Sequence, residues 1–176
     1  MEALQFVTSP LLSRVPGLVH GFGRRAVGSR ASVRKAVSRT FLENGEVFFL
    51  NQVHGCEVVR APWREPPEAD ASVTDERGDI LAIETADCLP VLIVDPLRGR
   101  VAAAHAGWRG TASQVAAEAA RAMLDSGSDP TELLAVLGPA IGVCCYEVGA
   151  EVEGAFATSE QFFGPGSGEK RHLDLV

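Results

Sequence analysis

The sequence predicts an α/β or α+β domain built on a mixed sheet. Two observations carry this: short runs of branched apolar residues bounded by Gly, Pro or Asp, and a long Ala-rich segment of helical chemistry that is not part of any regular strand-helix-strand alternation. At 176 residues the chain is long enough to bury a core and short enough to be one domain, read here as residues 1–176.

Each element has its own local reason. Phe6 to Phe22 reads as short strands and turns, because Pro10, Pro16 and glycines interrupt its apolar pieces. Between Arg24 and Arg39 stand five arginines and one lysine with no acidic residue, while Val33, Val37 and Phe41 recur every four residues. That combination predicts a helix with a solvated basic face and a buried stripe. Val47 to Leu50, Glu57 to Arg60, Ile80 to Glu84, Val91 to Val94 and Val101 to Ala104 are the strand runs. Thr111 to Asp125 reads as a helix with Val115, Ala119 and Met123 on one face and Gly127 as its stop. Asp129-Pro130 signals a further helix start, and Leu133 to Leu137 runs into the turn-rich segment 138–142. Glu151 to Thr158 reads as a short helix, and Gly164 to Gly168 as a loop. The last residues, His172 to Val176, have the character of an element beginning.

Composition narrows the function classes. With 16 basic against 23 acidic residues the chain lacks the basic surface of a nucleic-acid binder. No apolar run reaches the roughly 20 residues of a membrane helix. Four cysteines without an apolar leader do not read as a secreted disulfide scaffold, so the expectation is a soluble cytoplasmic protein.

The chemistry gathers at strand ends. His105 closes the apolar run Val101 to Ala104 in His105-Ala-Gly-Trp-Arg-Gly110, and His54 and Cys88 hold comparable positions in Asn51-Gln-Val-His-Gly55 and Ala86-Asp-Cys-Leu-Pro90. One Cys and two His form a three-ligand zinc set whose fourth position is open to water or substrate, as in catalytic rather than structural sites. Their wide spacing supplies no local metal motif, and each residue alone has an ordinary structural explanation. Asp70 and Asp87 flank these motifs and read as ligand-orienting or proton-transferring groups or, equally well, as turn caps. Trp108 reads as a packing anchor rather than a base-stacking indole, and Cys144-Cys145 as a buried pair beside Tyr146 rather than a redox pair, because vicinal cysteines bridge only with strain.

Together with Ala69-Asp-Ala-Ser-Val-Thr74 and Gly138-Pro-Ala-Ile-Gly-Val-Cys-Cys-Tyr-Glu-Val-Gly149, these motifs resemble the YfiH/laccase-domain family, whose members have been described as polyphenol oxidases, peptidoglycan editing factors and purine nucleoside phosphorylases that also deaminate adenosine. The resemblance implies a CNF-toxin/YfiH-like fold of two mixed sheets packed face to face with helices outside. It also implies a zinc site made by His54, Cys88 and His105, a purine nucleoside and phosphate as substrates, and a further segment beyond Val176. An N-terminal family pattern aligns with His20-Gly-Phe-Gly-Arg-Arg25, although its double glycine is altered here. Arg25 is therefore a candidate phosphate contact, and Arg109 a second one or a structural tie for its turn.

The expected activity is zinc-dependent phosphorolysis of adenosine, inosine or methylthioadenosine, with a secondary adenosine deamination. Three alternatives stay open: a copper site of the His2Cys type with Met123 as the axial candidate in a polyphenol oxidase, a metal-free cysteine hydrolase using Cys88 and His105, and a non-enzymatic zinc-stabilised module in cell-wall metabolism.

Overall fold

A computed structural model describes residues 6–24, 29–40, 45–156, 160–168 and 170–176. Among these the chain runs through β1 (Phe6–Val7), β2 (Phe22–Gly23), α1 (Arg30–Thr40), β3 (Glu46–Phe49), β4 (Val58–Arg60), β5 (Ala71–Thr74), β6 (Asp79–Ala82), β7 (Leu89–Asp95) and β8 (Arg100–Ala106). It continues through α2 (Trp108–Ala112), α3 (Val115–Asp125), β9 (Leu134–Leu137), β10 (Glu147–Val148), α4 (Ala150–Ala155), β11 (Phe163–Pro165) and β12 (Arg171–Leu173).

The main sheet has the order β4-β5-β8-β7-β9 and is mixed, because only β4 and β5 pair in parallel. Its central hairpin is set locally. The carboxylate of Asp95 accepts the amides of Leu97 and Arg98, and Gly99 takes the left-handed φ of +67° that the turn into β8 requires. Val73, Ile93 and Ala102 on one face, and Ser72, Val94 and Ala103 on the other, are all buried. On the first face α3 lays down Val115, Ala119 and Met123, the stripe that the periodicity predicts. The alanines at 102, 104 and 106 let this helix approach β8 closely. Burying Val115 and Met123 stabilises the layer by about 1.5 to 3 kcal/mol each.

A second, parallel pair, β3 with β6, touches the main sheet where β6 meets β5 and β8. Val33 and Val37 of α1 cover Val47, Phe49, Ile80 and Ala82 on that pair. Phe48, one residue out of phase, turns to the opposite side and meets the Trp63 ring edge to face. A three-stranded sheet, β10-β12-β11, contributes Val148 and Leu173 to the main core. The fold is thus mixed α/β with several sheets and few helices, as the sequence implies. Phe41 lies outside the described residues.

Some local expectations are corrected. Asp129-Pro130 begins a turn rather than a helix, because the Asp129 carboxylate closes on the amide and hydroxyl of Thr131, and the chain enters β9 at Leu134. The predicted helix 111–125 is two helices, broken at Gln114, whose φ of +61° cannot continue an α-helix. Ala71–Thr74, not singled out as a strand by pattern, is β5 and is buried throughout. Part of the expected 164–168 loop is strand β11, paired to β12.

Candidate metal centre

The register of the main sheet builds the site. In the β5–β8 pair Ala71 lies opposite Ala104, so Asp70 is brought beside His105, and the His105 amide donates to the Asp70 carbonyl at 2.7 Å. On the other side of β8, Pro90 is opposite His105, which places Cys88 just ahead of β7 at the same end of the sheet. His54 arrives from the loop after β3, in a left-handed conformation of φ +61° that costs an L residue about 1 to 2 kcal/mol. The potential ligand atoms of His54, Cys88 and His105 all lie within 4.8 Å of one another. Among the described residues this is the one group of three or more such side chains. The two imidazoles meet edge to face with centroids 4.9 Å apart.

Asp70 holds both histidines. Its Oδ1 lies 2.8 Å from Nδ1 of buried His105, and its Oδ2 accepts the amides of Gly55 at 2.7 Å and Val53 at 3.0 Å, on either side of His54. One carboxylate, fully buried, thereby fixes the His105 ring and fastens the strained loop that presents His54. Burial alone would raise its pKa, but the hydrogen bonds from His105, Gly55, Val53 and His54 more than offset that and hold the carboxyl below its ordinary value. With Nδ1–H given to an ionised Asp70, the other ring nitrogen, Nε2, carries a lone pair for a metal, the carboxylate-histidine arrangement common at such centres. Sequence reasoning left Asp70 between orienting a ligand and capping a turn; the structure gives it both partners.

Gly107 makes room. A Cβ there would stand 3.0 Å from the Cys88 sulfur and 3.3 Å from Cδ2 of His54. Its φ of −69° is open to any residue, so the glycine answers to space and not to backbone. A Cβ on Gly110 would meet the carbonyls of Gly55 and His105 at 3.2 Å, which is how α2 packs down onto the same cluster. No sequence signal separates these two glycines from those of an ordinary turn.

The Cys88 thiol is pushed up by burial, with Asp87 and Asp70 adding to the effect. Without a cation it is therefore further from thiolate than a free cysteine, the reverse of what a metal-free nucleophile needs. A divalent metal that prefers two imidazoles and one thiolate supplies the missing positive charge, so the donor set fits zinc.

The remaining candidates fall differently. Arg109 stands on the first turn of α2, stacks over Trp108 at 4.1 Å and pairs with Glu151 at 2.9 Å, its side chain 53% exposed. This links α2 to α4. Trp108 packs against the main core, as expected of an anchor. Arg25 lies outside the described residues. Met123 is fully buried on α3, with its carbonyl bonded to Arg100 at the opposite end of β8 from His105. Those ends are five strand steps apart, about 16 Å, so Met123 is no axial ligand for this cluster. Cys144 and Cys145 are exposed, contrary to the buried pair that the sequence suggested, because segment 143–145 forms an outward turn.

Comparison with known proteins follows the same lines. Residues 24–176 match the family described as multi-copper polyphenol oxidoreductase laccase. A purine nucleoside phosphorylase of Streptomyces coelicolor is 47% identical over 123 residues, which cover 68% of this chain and 51% of that protein. The purine nucleoside phosphorylase YfiH of Escherichia coli is 46% identical over 111 residues, covering 61% and 44%. The chain spans about half the length of the curated relatives it matches. A crystal structure of a Neisseria meningitidis protein superposes with a TM-score of 0.73 at 40% identity, covering 87% of this chain and 65% of that one. The Bacillus licheniformis hypothetical protein YfiH gives 0.76 at 29% identity, covering 82% and 61%. With fold, motifs and family match in agreement, the chain belongs to the multi-copper polyphenol oxidoreductase laccase family, whose YfiH proteins it resembles in structure.

Proposed function

We propose that this chain carries the zinc centre of a purine nucleoside phosphorylase that cleaves adenosine, inosine or methylthioadenosine with phosphate and deaminates adenosine as a side reaction. The observation that carries the reading is the convergence of His54, Cys88 and His105 from three separate segments onto one point, with His105 backed by a buried carboxylate. The names of the relatives supply the substrate class. Zinc held there would supply Lewis acidity and lower the pKa of water toward neutrality.

The chain's own residues have defined tasks. Asp70 keeps the Nδ1 proton of His105, leaving Nε2 to the metal. Cys88 gives up its proton when the ion binds, so loading is favoured as pH rises. Gly107 keeps the space next to the sulfur free. Arg109, exposed on the turn after His105 and paired with Glu151, would offer its guanidinium to phosphate on leaving that carboxylate, and Arg25 is the other proposed phosphate contact.

The metal-free cysteine hydrolase is disfavoured by the raised Cys88 thiol. The copper reading loses its axial methionine, and four histidines in the chain are too few for a multicopper cluster. Metal analysis of purified protein together with a phosphate-dependent nucleoside assay tests the proposal. About one zinc per chain and release of free base only when phosphate is present are expected. Blue thiolate-to-copper absorption in fresh protein, or full turnover after complete metal removal, would overturn it.

A further inference from the structure

We infer that Cys144 and Cys145 form a redox-active dithiol, a modification site separate from the metal centre, which closes to a vicinal disulfide with a low-molecular-weight disulfide as oxidant. Their sulfurs lie 3.3 Å apart, and both residues are exposed as free thiols. A disulfide bond is about 2.05 Å long, so the sulfurs need to move together by only a little more than an ångström. Exposure admits the oxidant, and adjacency in the chain makes the second thiol available at once.

The turn that carries the pair is held at both ends. Cys145 donates its amide to the Gly142 carbonyl at 2.9 Å, closing the turn. On one side, the Ile141 amide is tied to the carbonyl of Asp87, the residue before Cys88, at 2.9 Å. On the other, Tyr146 packs into the main core and its carbonyl accepts the amide of Leu173 at 3.0 Å. These anchors hold the pair outside the core and keep the sulfurs in company. They also resist the backbone change that a ring across adjacent residues requires, so the oxidised form is strained and readily reduced, which is the behaviour of a labile disulfide and not of a structural one.

The chemistry balances with the oxidant named. Either thiol can lead, because both are exposed and their sulfurs are adjacent. The leading thiolate displaces one thiolate from the external disulfide and forms a mixed disulfide. The second cysteine, on losing its proton, then attacks the sulfur of the first and expels the second thiolate. The two protons lost by the cysteines go to the two released thiols, and two electrons pass from the pair to the oxidant.

The test uses the whole chain in buffers of oxidised and reduced glutathione, with thiol counting and mass spectrometry of the peptide that contains residues 144 and 145. In excess oxidised glutathione that peptide should lose two hydrogens, and excess reduced glutathione should restore it. Cys144→Ser and Cys145→Ser should each instead accumulate a mixed disulfide with glutathione on the remaining cysteine of the pair. Thermal melting of each variant within a few degrees of the parent shows that the fold is retained. A wild-type pair that stays reduced, that stops at a mixed disulfide, or that links to Cys56 or Cys88 would overturn the inference.

Discussion

Replacing Asp70 by Asn keeps the size of the side chain and removes its charge, which separates orientation of the ligand from filling of space. The amide can still turn its oxygen to the Val53 and Gly55 amides, 3.0 and 2.7 Å from Oδ2 in the parent. Its NH2 then faces Nδ1 of His105, where Oδ1 stood at 2.8 Å. That forces Nδ1 to accept, moves the ring proton to Nε2, and leaves His105 in the tautomer that cannot bind a metal. The loss should match the removal of one charge-assisted contact behind a ligand, a 10- to 100-fold fall in zinc affinity, or about 1.4 to 2.7 kcal/mol. Competition for zinc against a chromophoric chelator measures this directly, and melting of the metal-free protein reports the intrinsic cost to the fold. Asp70→Ala should be worse on both counts, since it frees the loop amides and leaves buried His105 unpartnered, the latter at about 1 to 3 kcal/mol. A zinc affinity of Asp70→Asn within twofold of the parent would refute the claim that this carboxylate positions His105.

Other perturbations bear on separate parts of the structure. His54→Ala, Cys88→Ser and His105→Ala should each lose bound zinc and nucleoside cleavage together; zinc at full occupancy in inactive Cys88→Ser would favour a covalent role for the sulfur. Gly107→Ala should leave the backbone undisturbed at φ −69° yet weaken zinc binding, because the new methyl would stand 3.0 Å from the Cys88 sulfur; retained affinity by chelator competition would show that the cluster can yield. Glu147 is drawn down to about 2 by hydrogen bonds from Ser167 and Lys170, so its contribution to stability is present above its ordinary pKa of 4.5 and fades as pH falls toward 2. Glu147→Gln should therefore flatten that part of the acid unfolding curve, and an unchanged curve by circular dichroism would assign the acid transition elsewhere.

Much of this protein is legible in local pattern, because the information involved is local. The short apolar runs of β7 and β8 and the four-residue stripe of Val115, Ala119 and Met123 can each be read within a single element. The candidate ligand types are likewise visible: a Cys and two His, each beside turn-forming residues at an apolar run's end, raise a metal site among other readings before any contact is known. What pattern could not supply is who stands next to whom. The β5–β8 register sets Asp70 against His105 across 35 positions of sequence, and the same carboxylate holds the loop of His54 in a left-handed conformation uncommon for a residue other than glycine. Gly107 looks like any turn glycine until the Cys88 sulfur is seen beside its missing Cβ. Cys144 and Cys145 look like core residues until segment 143–145 is seen to turn outward. Periodicity reports the face on which a side chain lies, whereas pairing register, close approach and exposure are set by the packing of distant segments, and there the tertiary structure alone decided.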